Sequence, residues 1–293
     1  IFTNSRMPNR ESSRPYPLVF IPPKGKRGSD FKAGDCLLAK GTHLNWRALT
    51  TAASADRAQL HVYKKPKLVI LATGDELSPP GHAYKTAGHV PESVSFGITA
   101  FAKACGAEVL RSERLADDPD RLTASASKAI EDADVIIVTG GASVGEKDYA
   151  RSMFGEGALD YVFPKVAIKP GKPVWMAKIK SSNGHKIILG LPGNPSSALV
   201  TARLFLKPLL AGLSGQDAKQ ACQFRAIKCR DDLPEIGRRE TFSRAYLEDG
   251  QAVPFSRQDS STQSILARAN ILIRRPAKSP KLTAGAFVSV LDF

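Results

Sequence analysis

The chain has 293 residues, 42% apolar and 24% charged, which is ordinary globular material and enough for two or three domains of the usual ~100–200 residues. No apolar run approaches the ~20 residues that span a bilayer, and Ile1-Phe2-Thr3-Asn4 lacks the charged stretch and apolar core of a signal peptide, so a cytoplasmic setting is expected. A formal net charge of +14 favours anionic partners, above all phosphorylated small molecules. No basic helix with interleaved aromatics and no helix-turn-helix signature points to nucleic acid.

The start has no initiator Met and reads as the middle of a strand, so a fragment with upstream residues missing is expected. Pro8, Pro15, Pro17, Pro22 and Pro23 oppose helix early on. Residues 1–64 therefore read as a β-rich region with loops, including Leu18-Val19-Phe20-Ile21, and one short helix within 46–58. The basic bias is heaviest here, where Arg6, Arg10, Arg14, Lys24, Lys26 and Arg27 face only Glu11. Cys36, Cys105, Cys222 and Cys229 show no Cys-x-x-Cys spacing and read as reduced thiols, not a zinc site.

From residue 67 the pattern changes. Leu68-Val69-Ile70-Leu71-Ala72 is a continuous apolar run, the mark of a strand covered on both faces. A helix follows over about 92–105, with Ile98, Phe101, Ala102 and Cys105 on one stripe and Gly106 just past its end. Glu108-Val109-Leu110 reads as a short strand. Asp118-Pro119 supplies an N-cap and a proline at the first helical position, ahead of a helix facing inward through Leu122, Ala126, Ala129 and Ile130. Val135-Ile136-Ile137-Val138 and Ile187-Ile188-Leu189 are further buried strands. A last helix opens at Asn194-Pro195, and Pro208 should end or kink it by clashing with the Leu204 carbonyl. Alternating strands and helices over 65–215 predict a doubly wound α/β domain, with ligands bound outside the carboxyl ends of its strands. Short alternating segments after 215 predict a small β domain over 216–293.

Three turns follow these strands. Thr73-Gly74-Asp75-Glu76 offers two carboxylates. Thr139-Gly140-Gly141-Ala142-Ser143-Val144-Gly145-Glu146-Lys147-Asp148 offers close backbone approach, the Ser143 hydroxyl and the Asp148 carboxylate. Gly190-Leu191-Pro192-Gly193-Asn194-Pro195 aims a helix start at the crevice, a place for an anion; helix capping alone would explain Asn194 and Pro195 but not Gly193. Asp117 and Asp118 follow another strand. Several acids at one sheet edge suit Mg2+, although capping alone accounts for Asp118. Lys165 and Lys169, in Lys165-Val166-Ala167-Ile168-Lys169-Pro170-Gly171-Lys172-Pro173, are spaced to share one face of an extended segment and suit an oxyanion. As ordinary surface residues of an edge strand, three such lysines would not need their Pro and Gly brackets.

Together these stretches resemble the MoeA proteins and the gephyrin E domain: Thr73-Gly74-Asp75-Glu76-Leu77, Gly140 to Asp148, Lys169-Pro170-Gly171-Lys172-Pro173 and Leu191-Pro192-Gly193-Asn194-Pro195 occur in the family's order and approximate spacing. Ile1-Phe2-Thr3 and Gly28-Ser29-Asp30 are similar to its N-terminal segments, which would leave about a quarter to a third of a member upstream. The resemblance implies a molybdopterin molybdenumtransferase that takes adenylylated molybdopterin and molybdate, uses a divalent cation such as Mg2+, and releases AMP. It implies Glu76, Asp117 and Asp148 as acidic catalytic and metal-handling residues, and Lys165 and Lys169 as oxyanion-handling cations. Gly140, Gly141, Ser143, Gly145, Pro170, Lys172, Pro192, Gly193, Asn194 and Ser260 would line the ligand. Thr3 and Asp30 would reach it across a homodimer interface. Three departures stand out: Asn4-Ser5 replaces Gly-Ala, Pro91-Glu92-Ser93-Val94 lacks the usual Asp/Ser-x-Asn, and Ala142 replaces Val or Thr. The alternatives are a molybdopterin adenylyltransferase, normally a single small domain, and a non-catalytic scaffold, against which the acids and lysines argue. Molybdopterin adenylyltransferase and molybdoenzymes are the expected protein partners.

Overall fold

The computed structural model describes residues 28–140 and 149–293. The chain divides into two compact units, 1–63 and 64–293. In the first, the described residues form one helix, α1 (Trp46–Ser54), and no strand. The Asn45 side chain caps it, accepting from the Arg47 and Ala48 amides at 3.0 and 3.1 Å. The strand expected at 18–21 lies outside the described residues.

The second unit begins with β1 (Lys67–Thr73), β2 (Leu77–Ser78), β3 (Val90–Pro91), α2 (Val94–Ala104), β4 (Glu108–Leu115), α3 (Pro119–Asp132) and β5 (Val135–Thr139). It continues through α4 (Tyr149–Ser152), β6 (Asp160–Phe163), β7 (Ile168–Lys169), β8 (Trp175–Ser181), β9 (Gly184–Leu191), α5 (Pro195–Thr201) and α6 (Lys207–Leu213). The main sheet has the order β4-β1-β5-β9-β8-β6, with β4, β1, β5 and β9 parallel and β8 antiparallel to both its neighbours. Alternate strand residues serve opposite faces. Leu68, Ile70, Val135, Ile137, Leu189 and Leu191 pack with α2, α5 and α6. Val69, Leu71, Ile136, Val138 and Ile188 pack with α3 and α4. The sheet is thus doubly wound, and each of these fully buried side chains contributes on the order of 2 kcal/mol through its apolar area.

Several elements differ from expectation. β4 is eight residues long, because its charges are tolerable on a sheet edge: Arg111 pairs with Glu113 and Asp132. Pro208 does not end the last helix. A π turn over Ala202–Leu206 precedes it, with the Lys207 amide bonded to the Ala202 carbonyl, and this register change lets the helix run on. The resulting Pro195–Leu213 helix is long and apolar enough to cross a bilayer by length and composition alone, contrary to the expectation above, yet more than half of it is buried in the core.

The remaining strands are β10 (Arg225–Lys228), β11 (Glu240–Glu248), β12 (Gln251–Pro254), β13 (Ile271–Arg275) and β14 (Phe287–Asp292). They form a sheet in the order β10-β14-β13-β11-β12, and a bridge from Cys229 to Ala252 draws its two edges together. β7 leaves the α/β region to pair in parallel with β11. Phe242, Leu272 and Leu291 join the α/β core, so the two sheets share one hydrophobic cluster.

Candidate functional site

The chain runs from β1 to β4 on one side and returns to β5 on the other, so the topological switch point lies between β1 and β5. Crevices at such points take ligands because the connecting turns diverge there. Three turns meet at this edge. Gly140 follows β5 with φ +91°, and a Cβ there would collide with the Thr73 carbonyl oxygen. A Cβ on Gly193 would lie 3.5 Å from the Gly140 Cα. Thr73 Oγ1 donates to the Thr139 carbonyl at 3.3 Å.

Beside these turns stands a carboxylate cluster. The Asp117 amide donates to Asp75 Oδ1 at 2.9 Å, which ties the turn after β4 to the turn after β1. The Glu76 carboxylate folds back against Gly74, where a Cβ would displace it. Burial, then the charges of Asp75 and Glu76, push the Asp117 carboxyl above its ordinary pKa. Asp117 Oδ1 is buried without a hydrogen-bond partner among the described residues. Asp118 is the helix cap expected of it, accepting from the Asp120 and Arg121 amides.

The lysine segment is not one extended strand. β7 covers only Ile168–Lys169, and the Ile168 amide turns back to the Val166 carbonyl at 2.9 Å. The even spacing of Lys165 and Lys169 therefore does not set a shared face. Lys169 and Pro170 line a cavity of about 320 Å3 with Glu235, Arg238, Arg239, Ser243 and Gln258 among its walls. Lys165 and Lys172 are exposed and do not line it. Three cations against one carboxylate give this cavity a positive field.

Of the other expected residues, Pro192 is buried and Gly193 and Asn194 are exposed at the strand edge. Asn194 occupies the N-cap position, but its side chain makes no capping bond. Ser260 is half-buried in the loop after β12, and Asp30 is exposed in a turn of the first unit. Thr3, Gly141, Ser143, Gly145 and Asp148 lie outside the described residues. Among the described residues no three His, Cys, Asp or Glu side chains form a metal-holding group. The sequence reading missed Arg238, Arg239 and Gln258. The Gly237-Arg238-Arg239-Glu240 run at the entry to a strand was the available signal.

The family described as a probable molybdopterin binding domain matches residues 69–212, and the MoeA C-terminal region (domain IV) matches 226–293. Fold and site thus define the class, a molybdopterin-binding-type α/β domain followed by a MoeA-type β region. A molybdopterin molybdenumtransferase of Nostoc sp. is 30% identical over 100% of this chain and 71% of its own length. One from Haemophilus influenzae is 32% identical over 91% of this chain and 66% of its own. The crystal structure of the molybdopterin biosynthesis moeA protein from Pyrococcus horikoshii superposes with a TM-score of 0.74 at 25% identity, covering 91% of this chain and 63% of that one. The chain belongs to the molybdopterin molybdenumtransferase family, and it spans about two thirds of the length of these relatives.

Proposed function

We propose that the protein inserts molybdenum from molybdate into adenylylated molybdopterin, with release of AMP. The observation that carries this reading is the strand-end arrangement of the Gly140 and Gly193 turns beside Asp75, Glu76 and Asp117. The glycines let the two turns pack against each other and against Thr73 at the strand ends, where glycine-rich backbone can present its N–H groups to a phosphorylated ligand. Crowded carboxylates suit a divalent cation, and Asp117 fits that role, because its Oδ1 has no hydrogen-bond partner among the described residues and a bound cation would relieve its repulsion by Asp75 and Glu76. Glu76 and Asp117, with Asp148, would hold Mg2+, which when bound offsets the negative charge of the adenylate phosphates. The chain's own part is to orient the phosphoanhydride against the Gly140 turn while a water attacks it and AMP leaves. Lys169, Arg238 and Arg239 make the cavity they line receptive to molybdate, a substrate dianion.

The reading extends to a cytoplasmic homodimer in which Thr3 and Asp30 reach the partner's site. Molybdopterin adenylyltransferase, as supplier of the adenylate, and molybdoenzymes, as acceptors, are the partners it implies. Its test is cofactor formation from adenylylated molybdopterin with and without molybdate and Mg2+. AMP release with appearance of active cofactor supports the proposal. Formation of adenylylated molybdopterin from molybdopterin and ATP, with release of pyrophosphate, would instead favour an adenylyltransferase.

A further inference from the structure

Arg244, on β11, is fully buried. Removing a guanidinium from water is costly unless its donors are satisfied, and an apolar residue of similar volume often serves stability as well. The guanidinium donates to uncharged oxygens on two pieces of chain, the first turn of α5 and the loop 258–262. Nη1 donates to Ser196 Oγ, in the first turn of α5, and to the Thr262 carbonyl at 3.1 Å. Nη2 donates to the Asp259 carbonyl at 3.1 Å, and Nε to Gln258 Oε1 at 3.4 Å. The backbone completes the pairing: the Arg244 amide donates to Gln258 Oε1 at 2.9 Å, and Gln258 Nε2 donates to the Arg244 carbonyl at 2.8 Å.

These bonds connect places that matter to the site. Gln258 and Ser243, flanking Arg244 in space and sequence respectively, line the cavity with Lys169. Residues 259–262 contain Ser260. Ser196 follows Asn194 and Pro195 at the strand-end turn. A planar fork with five donors can fix such separate acceptors at once, whereas an ammonium cannot reproduce the fork.

We propose that Arg244 is a positioning residue that fixes the Gln258 wall and the Ser260 loop to the first turn of α5, and so sets the geometry in which the Lys169 cavity accepts its oxyanion. The inference rests on the reading of that cavity as the molybdate acceptor. Its test compares wild type with Arg244→Lys, Arg244→Met and Ser196→Ala by calorimetric titration with sodium molybdate and by the molybdate dependence of cofactor formation. Both Arg244 variants should bind molybdate at least about tenfold more weakly, and Ser196→Ala about threefold, with turnover at saturating molybdate within about twofold of wild type. Ser196→Ala retains the guanidinium, so it carries the test if the Arg244 variants do not fold. Wild-type molybdate affinity in Ser196→Ala and in every folded Arg244 variant would overturn the inference even if their melting temperatures fall, because Arg244 would then be only a structural bond. A loss of turnover with unchanged molybdate affinity would overturn it too. Failure of the wild type to bind molybdate would overturn the cavity reading itself.

Discussion

Asp117 concentrates the electrostatics of the strand edge. Burial and the neighbouring Asp75 and Glu76 hold its folded pKa above the ordinary carboxylate value. Such a group binds its proton more tightly folded than unfolded, so its stabilising contribution is lost as pH rises from the ordinary carboxylate range through the raised value. Without metal, Asp117→Asn should therefore melt at or above the wild-type temperature near pH 7, and the difference should shrink toward pH 4. Added Mg2+ should raise the melting temperature of wild type and leave the variant unmoved. Thermal scans over pH with EDTA or Mg2+ check this, and an Asn variant that is less stable and still responds to Mg2+ would contradict it. Lys169 calls for a different signature. Lys169→Ala should raise the half-saturating molybdate concentration roughly tenfold, about 1.4 kcal/mol, and high molybdate should restore turnover. The Asp117 variant should not be rescued. An unchanged molybdate dependence would make Lys169 an ordinary surface lysine.

At the scale of elements, the β8–β9 pair shows how tightly the sheet is fitted. Trp175 faces Gly190 across the pair, and its indole covers the place a Cβ would need. Arg151 stacks 5.3 Å from that ring and Tyr161 lies edge-on at 6.1 Å. Gly190→Ala should cost about 1–3 kcal/mol through overpacking. Urea melts with tryptophan emission should show earlier unfolding, and an unchanged midpoint would mean that the ring moves aside freely. The central strands were legible in the sequence because strands covered on both faces carry unbroken apolar runs, as in β1 and β5. β8 carries a strand's alternation in Trp175-Met176-Ala177-Lys178-Ile179-Lys180, a signal the sequence reading passed over between two turn motifs. Asp117 was legible because it follows a strand. Gln258 and Arg244 were not, because their roles depend on pairings far apart in the chain. Pro208 marked a break in the regular α pattern but not its form: proline opposes the α turn, and a wider π turn precedes it, so the helix does not end there.

At the scale of the whole molecule, the proposed dimer gives a plain expectation. Light scattering at micromolar concentration should report twice the protomer mass, and a monomer throughout that range would remove Thr3 and Asp30 from the partner's site. The central claim concerns the reaction. Incubating the purified protein with adenylylated molybdopterin, Mg2+ and graded molybdate, then measuring AMP together with activation of a cofactor-free molybdoenzyme, tests it most directly. The account predicts AMP release coupled to activation, both saturating with molybdate and both lost in Asp117→Asn. AMP release without molybdate-dependent activation, or the full reaction in the Asp117 variant, would contradict it.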